Sequence, residues 1–523
     1  MGRDRFRPHS FSAGLLFAFL FVALFLLHVR LLRLPYFWDE AGYYIPAARD
    51  LFLRGTLIPQ STVSNAHPPL VMAYLALWWK LVGYTPTVTR TAMLLVAAFS
   101  LAGLFRLAAR IANAKVAIAT TACTAIYPVF FTQSSMAHVD LAAAGLTFWA
   151  FAAYVQDRRM EAALWFSLAV LAKETAILAP LALLAWELVC PALARRTQHQ
   201  ICLFPRSWRS AALLAPAIPL ALWYSYHYLR TGYIFGNPEF FRYNVAETLN
   251  PLRIVLALML RLWHIFGYLG MYILSVAALL AMWRPALSDE EGKRPRIAPA
   301  IQLALLVVIA TYVVFMSVIG GAPLVRYLLP VIPFVIAIFV STLWRRVRQF
   351  WAVMAIVMIT FAISLFVNPP YGFSLEDNLA YRDYIVLHHR AEDFLEARYP
   401  MARVLTAWPA TDELTRPYLG YVTRPMRVVQ VEDFTVEQLM SAAEMRPSFD
   451  MALVFSTKYD PPHPLFEQWR SWQQWKTRFF GYHRDVPPAA AAQLLGGRII
   501  YSEDRKGQWV AIIEMEQVLE ARN

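Results

Sequence analysis

The sequence predicts an α-helical polytopic membrane protein with about eleven transmembrane helices and a C-terminal α/β domain outside the cytoplasm. Three observations predict it. Of 523 residues, 59% belong to the AVILMFWYC set and only 16% are charged, with a mean hydropathy of +0.44. Soluble domains carry about 25% charged residues, so an ordinary soluble enzyme and a disordered scaffold are both excluded. Apolar runs of spanning length recur from Phe11 to Asn368, and basic clusters separate many of them. After Asn368-Pro369-Pro370 charge becomes plentiful and apolar runs shorten.

The first element follows a basic N-terminus, Arg3-Asp4-Arg5-Phe6-Arg7. The apolar run Phe11 to Val29 is long enough to cross the hydrocarbon core. No small-residue cleavage site follows, so it reads as a retained helix with a cytoplasmic N-terminus. The first outer loop, 32–87, holds Trp38-Asp39-Glu40 and an ambiguous stretch from Pro68 to Gly83. That stretch is short for a span and opens with two prolines. Treating it as a helix along the outer surface puts Arg106, Arg110 and Lys115 in the cytoplasm, as the positive-inside rule demands.

The remaining spans fall at roughly 88–110, 116–134, 140–156, 160–172, 175–192, 209–228, 254–282, 299–319, 327–344 and 350–368. Every connecting cluster assigned to the cytoplasm is basic: Arg158-Arg159, Arg195-Arg196 with Arg206 and Arg209, Arg284 with Lys293-Arg294-Arg296, and Arg345-Arg346-Arg348. The net charge of +13 (Lys+Arg 48, Asp+Glu 35) therefore reflects loop placement, and no nucleic-acid partner is expected. The segment 160–172 is too short to cross comfortably, which puts Lys173 in the outer leaflet or at its boundary. Cys123, Cys190 and Cys202 lie in or near apolar stretches and offer neither a disulfide framework nor a metal-binding pair.

Two domains result: a transmembrane part, 1–370, and a soluble α/β part, 371–523. In the latter, Ala391 to Arg398 reads as an amphipathic helix. Arg403 to Thr406 and Met451 to Phe455 read as buried strands, and Arg498 to Tyr501 with Trp509 to Ile513 as a closing pair. An odd number of spans places this domain outside.

The outward side collects ionisable residues that a bilayer discourages: Asp39, Glu40, His67, His138, Asp140, Lys173, Glu174 and Arg326. Each costs a few kcal/mol there, so pairing or function is the default reading. Asp39 and Glu40 point either to a general base or to an acidic start for the helix Ala41 to Leu53. His67, before Pro68-Pro69, could meet a phosphate, ligate a metal or simply lie at the interface. His138 and Asp140 could ligate a metal, but no third ligand is defined; Asp140 also suits a helix cap or an acceptor contact. Lys173 suits an anionic headgroup, and Arg326-Tyr327 departs from the positive-inside pattern in a way that favours bidentate phosphate binding over snorkelling. Aromatic residues from Tyr233 to Tyr243 either guide a lipid chain or anchor the loop 230–250.

In this order the motifs resemble the GT-C superfamily of membrane glycosyltransferases. The branch is that of the protein O-mannosyltransferases and the lipid A aminoarabinose transferases. The residues that carry the resemblance are Trp38-Asp39-Glu40-Ala41, His67-Pro68-Pro69-Leu70, Asp140, Leu171-Ala172-Lys173-Glu174 and Arg326-Tyr327-Leu328-Leu329-Pro330. It covers about Phe11 to Val367. It implies a polyprenyl-phosphate sugar donor, chemistry on the outer face, inversion at the anomeric carbon, Asp39 as the base and Glu40 as a substrate-positioning acid. In the aminoarabinose transferases a Glu-Lys pair precedes the Pro-Pro. The matching positions here are Ala66-His67, so His67 could keep part of the phosphate role, while a divalent metal at that point is left open.

The expected enzyme moves a sugar to a hydroxyl of a lipid, glycan or protein. Lys173, Arg326 and His67 hold the donor phosphate; Asp140, His138 and Tyr327 contact acceptor or sugar. No cofactor is otherwise expected, and a bacterial inner membrane with the C-terminal domain in the periplasm suits a chain without a eukaryotic retention signal. A transporter or flippase of lipid-linked sugars is the alternative. It predicts charges at the midplane and broken helices in related halves, and neither is evident. A non-catalytic receptor would leave Asp39, Lys173 and Arg326 without a shared purpose.

Overall fold

The computed structural model describes residues 13–516, apart from 198–200, 205–207, 291, 460 and 462–468. The N-terminal cluster Arg3 to Arg7 and Arg206 lie outside the described residues. The chain divides into two compact units. One comprises the chain up to Leu32 together with Ala47–Leu365; the other comprises Arg33–Pro46 and the chain from Phe366 onward.

The first unit is helical. Among the described residues, the helices long and apolar enough to cross a membrane are Pro86–Ile111, Glu174–Arg196, Pro251–Met282 and Pro299–Val318. Shorter apolar helices, Ala13–His28, Leu70–Val82, Ala114–Ile126 and Phe350–Phe366, accompany them. Their starts are written locally. The Thr85 hydroxyl accepts from Val88 N, with Pro86 in the first turn. Asn113 caps Ala114–Ile126, and Asn250 caps the helix that opens at Pro251. In each case a side-chain oxygen satisfies an amide that the helix leaves orphaned.

Helix Asp140–Tyr154 lies against Pro86–Ile111 and Arg159–Ala172. Its approach to Pro86–Ile111 is close because Gly145 has no side chain. A Cβ there would stand 1.9 Å from Ser100 Oγ and 3.0 Å from Ser100 Cα. Gly103 likewise sits under the Trp149 ring.

Several expected spans are interrupted, each for a physical reason. The run 116–134 breaks at Tyr127, ahead of a short helix Pro128–Gln133, because Pro128 supplies no amide to the ladder. The run 254–282 kinks at Leu269 (φ 45°) and Gly270 (φ 88°). The run 327–344 becomes helical only at Ile332–Arg346, with Pro333 in its first turn; Arg326 and Tyr327 occupy a 3-10 turn, Val325–Leu328, ahead of it. The run 209–228 begins as a 3-10 turn, Trp208–Leu214, before helix Ala217–Thr231.

One expectation is corrected outright. Cys190 and Cys202 form a disulfide with a Cα–Cα distance of 5.6 Å, in the range such a bridge requires. The chain turns back after the helix that carries Cys190, which spacing alone does not reveal.

The second unit is α/β. Strands β1 (Arg403–Ala407), β2 (Arg427–Val431), β3 (Met451–Phe455), β4 (Gly497–Arg505) and β5 (Gln508–Met515) form one sheet in the order β2-β1-β3-β5-β4. β1 runs parallel to both β2 and β3, while β5 is antiparallel to β3 and β4. β3 is a continuous apolar run and β1 is buried from Val404 to Ala407, as strands covered on both faces must be. Helix Ala380–Arg398 starts earlier than its amphipathic end suggests and lies against β4 and β5. Hydrogen bonds that join the segment 33–46 to this unit include Tyr36 N to Leu419 O (3.2 Å) and Tyr421 OH to Tyr36 O (3.0 Å).

Candidate active site

The centre of the first unit's polar network is Asp140, the opening residue of helix Asp140–Tyr154, where a carboxylate complements the helix dipole. Lys173 Nζ lies 2.5 Å from Asp140 Oδ1, and Arg326 Nε lies 3.4 Å from Asp140 Oδ2. All three are enclosed, at 2%, 5% and 1% exposure. Burial strengthens their mutual attraction and makes the loss of any one partner expensive. His138 Nδ1 is 2.7 Å from Gln133 Oε1 and 3.3 Å from Arg326 Nη1. Buried Arg90 donates to Ser135 O (3.2 Å), securing the backbone just ahead of His138.

A break in the helices puts Lys173 there. Helix Arg159–Ala172 ends at Lys173, whose backbone is extended (φ −152°, ψ 131°), and a 3-10 turn, Glu174–Ile177, follows. Neighbours in extended chain point opposite ways. Lys173 therefore reaches Asp140, while Glu174 reaches His67, with Nδ1 to Oε2 at 2.8 Å. The adjacent charges, which could have neutralised each other, serve two different partners.

Tyr327 is the half-buried surface on which the cations converge. Lys173 Nζ stands 4.0 Å from its ring centroid, Arg326 Cζ 5.6 Å and Arg261 Cζ 5.9 Å. Such contacts place positive charge over the ring's negative face. Arg261 and Arg253 are functional candidates that sequence reasoning passed over. Both lie on helix Pro251–Phe266, eight residues apart and buried. Arg253 Nη2 donates to Gly320 O (2.6 Å) and Gly321 O (3.1 Å). Arg261 donates to Met316 O (3.3 Å) and Leu324 O (2.6 Å). Together they hold the loop that leads into Arg326. The signal was present as two arginines on one face of an otherwise apolar helix. The loop 230–250 meets the same backbone: Gly320 N donates to Asn244 O (2.8 Å), and Gly321 lies under the Tyr243 ring.

His67 is half-buried beside a shallow cleft that Asn65, Met72 and Trp223 also line. Ala66 before it has φ 57°, and its carbonyl accepts from Trp223 Nε1 (2.9 Å). A non-glycine residue at positive φ persists where its surroundings over-determine it, often at functional sites. The carboxylate that the resemblance would bring to a metal is missing here, because Ala66 offers no ligand atom.

Asp39 and Glu40 belong to the second unit. Trp38, just before them, also has positive φ (45°). Its ring is held edge-on by Trp408 (5.2 Å) and Tyr384 (5.6 Å). Gly42 lies so close to Trp408 that a Cβ would stand 2.8 Å from the ring. Glu40 is buried and accepts from Phe37 N (3.0 Å), a local bond that fixes the turn. Asp39 is half-buried and makes no side-chain capping bond to the π-helical turn Glu40–Tyr44 that follows. The acidic helix start is thus carried by Glu40.

Of the residues singled out in the sequence, His138, Asp140, Lys173, Arg326 and Tyr327 form one cluster. His67 pairs with Glu174, the neighbour of Lys173, and Asp39 and Glu40 form a separate turn in the other unit.

The comparisons with known proteins follow the same lines. The family model described as dolichyl-phosphate-mannose-protein mannosyltransferase matches residues 66–229, a segment that contains His67, His138, Asp140 and Lys173. No curated protein matches the sequence. The crystal structure of ArnT from Cupriavidus metallidurans bound to undecaprenyl phosphate superposes with a TM-score of 0.53 at 13% identity, covering 97% of this chain and 98% of that one. The apo form of the same protein gives a TM-score of 0.51 at 16% identity, covering 96% and 98%. In fold the chain is similar to ArnT, and over residues 66–229 it is similar to the protein mannosyltransferases.

Proposed function

We propose that this protein is an inverting membrane glycosyltransferase. It moves a sugar from a polyprenyl-phosphate donor to an acceptor hydroxyl of a lipid, glycan or protein, on the outer face of a bacterial inner membrane. The observation that carries the reading is the convergence of Lys173, Arg326 and Arg261 on Tyr327, with Asp140 as the carboxylate shared by the first two. Three cations about one ring, two of them sharing a single carboxylate, leave a net positive centre, which suits a phosphate group. The bound lipid of ArnT, undecaprenyl phosphate, has that chemistry.

Asp39 takes the proton of the acceptor hydroxyl. The acceptor oxygen forms a bond to the anomeric carbon as the bond from that carbon to the phosphate oxygen breaks on the opposite side. The polyprenyl phosphate leaves with one more negative charge than it carried in the diester. Lys173, Arg326 and Arg261 stabilise that growing charge, so no general acid is required. His138 and Gln133 orient Arg326, Glu40 holds the Asp39 turn, and His67 with Glu174 borders the cleft. The N-terminus lies in the cytoplasm and the C-terminal unit on the periplasmic side.

Asp39→Asn tests the base. The variant is expected to bind donor as tightly as the parent and to lose about 10²- to 10⁴-fold in turnover, the usual weight of a positioned base. Normal turnover would refute the assignment.

A further inference from the structure

Away from the charges used above, the second unit encloses His388, Glu392 and Glu413. His388 and Glu392 lie four residues apart on helix Ala380–Arg398, hence on one face. Glu413 comes from the facing helix Ala410–Thr415. His388 Nδ1 is 2.7 Å from Glu413 Oε2 and 3.9 Å from Glu392 Oε1. One candidate ligand atom from each residue lies within 4.8 Å of the others, and all three side chains are buried. The surroundings are aromatic: Tyr384 stacks on the imidazole at 3.9 Å, and Phe455 stands edge-on at 4.5 Å.

The arrangement is costly as it stands. Both oxygens of Glu392, Oε1 of Glu413 and Nε2 of His388 make no hydrogen bond among the described residues. Buried carboxylates are normally paired or coordinate a metal.

We infer that His388, Glu392 and Glu413 bind a divalent transition-metal ion of the zinc type. One imidazole nitrogen and two carboxylate oxygens are a suitable donor set. Ligand atoms about 2.0–2.2 Å from a shared tetrahedral ion lie about 3.4 Å apart. The short His388–Glu413 contact therefore opens a little on binding, and the longer ones close. The ion ties helix Ala380–Arg398 to helix Ala410–Thr415. These are the supports of the aromatic wall around Trp38: Tyr384 touches Phe37 (5.2 Å) and Trp38 (5.6 Å), and Trp408 precedes the second helix. The role is structural, and it does not depend on the sugar-transfer reading.

The test is metal analysis of the full-length protein purified in detergent from zinc-supplemented cells. Chelator-treated protein is then titrated with Zn²⁺, Mn²⁺ and Co²⁺. A stoichiometric ion, a visible Co²⁺ spectrum and a rise of several degrees in melting temperature are expected. Glu392→Gln, nearly isosteric, is expected to weaken Co²⁺ binding at least ~100-fold, more than outer partners usually contribute. Glu174→Gln is expected to keep the ion. Absence of bound metal together with a flat Co²⁺ titration would overturn the inference. So would retention of the ion by Glu392→Gln, its loss from Glu174→Gln, or a metal-free protein that Glu392→Gln stabilises, which identifies a proton-sharing pair. If Glu392→Gln does not fold, the parent's Co²⁺ titration decides alone.

Discussion

Asp140 holds two buried cations at once, so its charge matters more than its shape. Asp140→Asn keeps the shape and leaves Lys173 and Arg326 without their shared carboxylate. A loss of about 3–5 kcal/mol in stability is expected, read as a fall in melting temperature in detergent; an unchanged melt would show that the cluster is not the enclosed network described. Arg326→Ala is expected to raise the KM for donor about 10- to 100-fold, as loss of a charge-assisted phosphate contact should. The KM for acceptor should move little, and equal loss for both would argue against a phosphate role. At this scale the sequence was informative wherever a charge interrupts an apolar run: Asp140, Lys173 and Arg326 were all visible that way. Arg253 and Arg261 carried the same signal on an apolar helix, and what it lacked was the partner: only packing shows that they hold the loop before Arg326. The divergence of Lys173 and Glu174 was hidden too, since it depends on the extended backbone at Lys173 rather than on the helix that the neighbours imply.

Elements were legible where composition alone defines them. The helix Pro86–Ile111 and the strand Met451–Phe455 fall where their apolar runs put them. β2 went unread because Arg427–Val431 is an edge strand, partly exposed and interrupted by Gln430, with no apolar run to mark it. The break at Leu269 and Gly270 was equally silent within a continuous apolar stretch. The approach of Asp140–Tyr154 to Pro86–Ile111 gives a sharper test. Gly145→Ala drives a methyl into Ser100 and is expected to cost about 1–3 kcal/mol; Ser100→Gly in the same chain should restore most of it. In the other unit, Asp450 binds Arg403 at the start of β1, with Nη2 to Oδ1 at 2.8 Å and the backbone amide to Oδ2 at 2.9 Å. The Arg403 guanidinium holds the Asp450 carboxyl below its usual value. This stabilisation is present above the unfolded carboxylate value near pH ~4 and fades as pH falls through the lower folded one. Both groups are well exposed, so solvent screening keeps the effect small. Asp450→Asn should therefore melt slightly earlier than the parent at pH 6, and the gap should close in acid.

For the whole molecule, the apolar composition and the change after Pro370 foretold a helical membrane part and an α/β part. The sequence did not reveal that the segment 33–46, with Asp39, folds with the chain beyond Phe366, because that association rests on long-range contacts such as Tyr36 with Leu419 and Tyr421. The proposed role of the cationic centre at Lys173, Arg326 and Arg261 is sugar transfer from a lipid phosphate. The most direct measurement incubates purified protein with a panel of polyprenyl-phosphate sugars and an acceptor mixture, following release of the free lipid phosphate. Release with at least one donor is expected, together with an inverted glycoside on the acceptor. Folded protein that releases no lipid phosphate from any of them would contradict it.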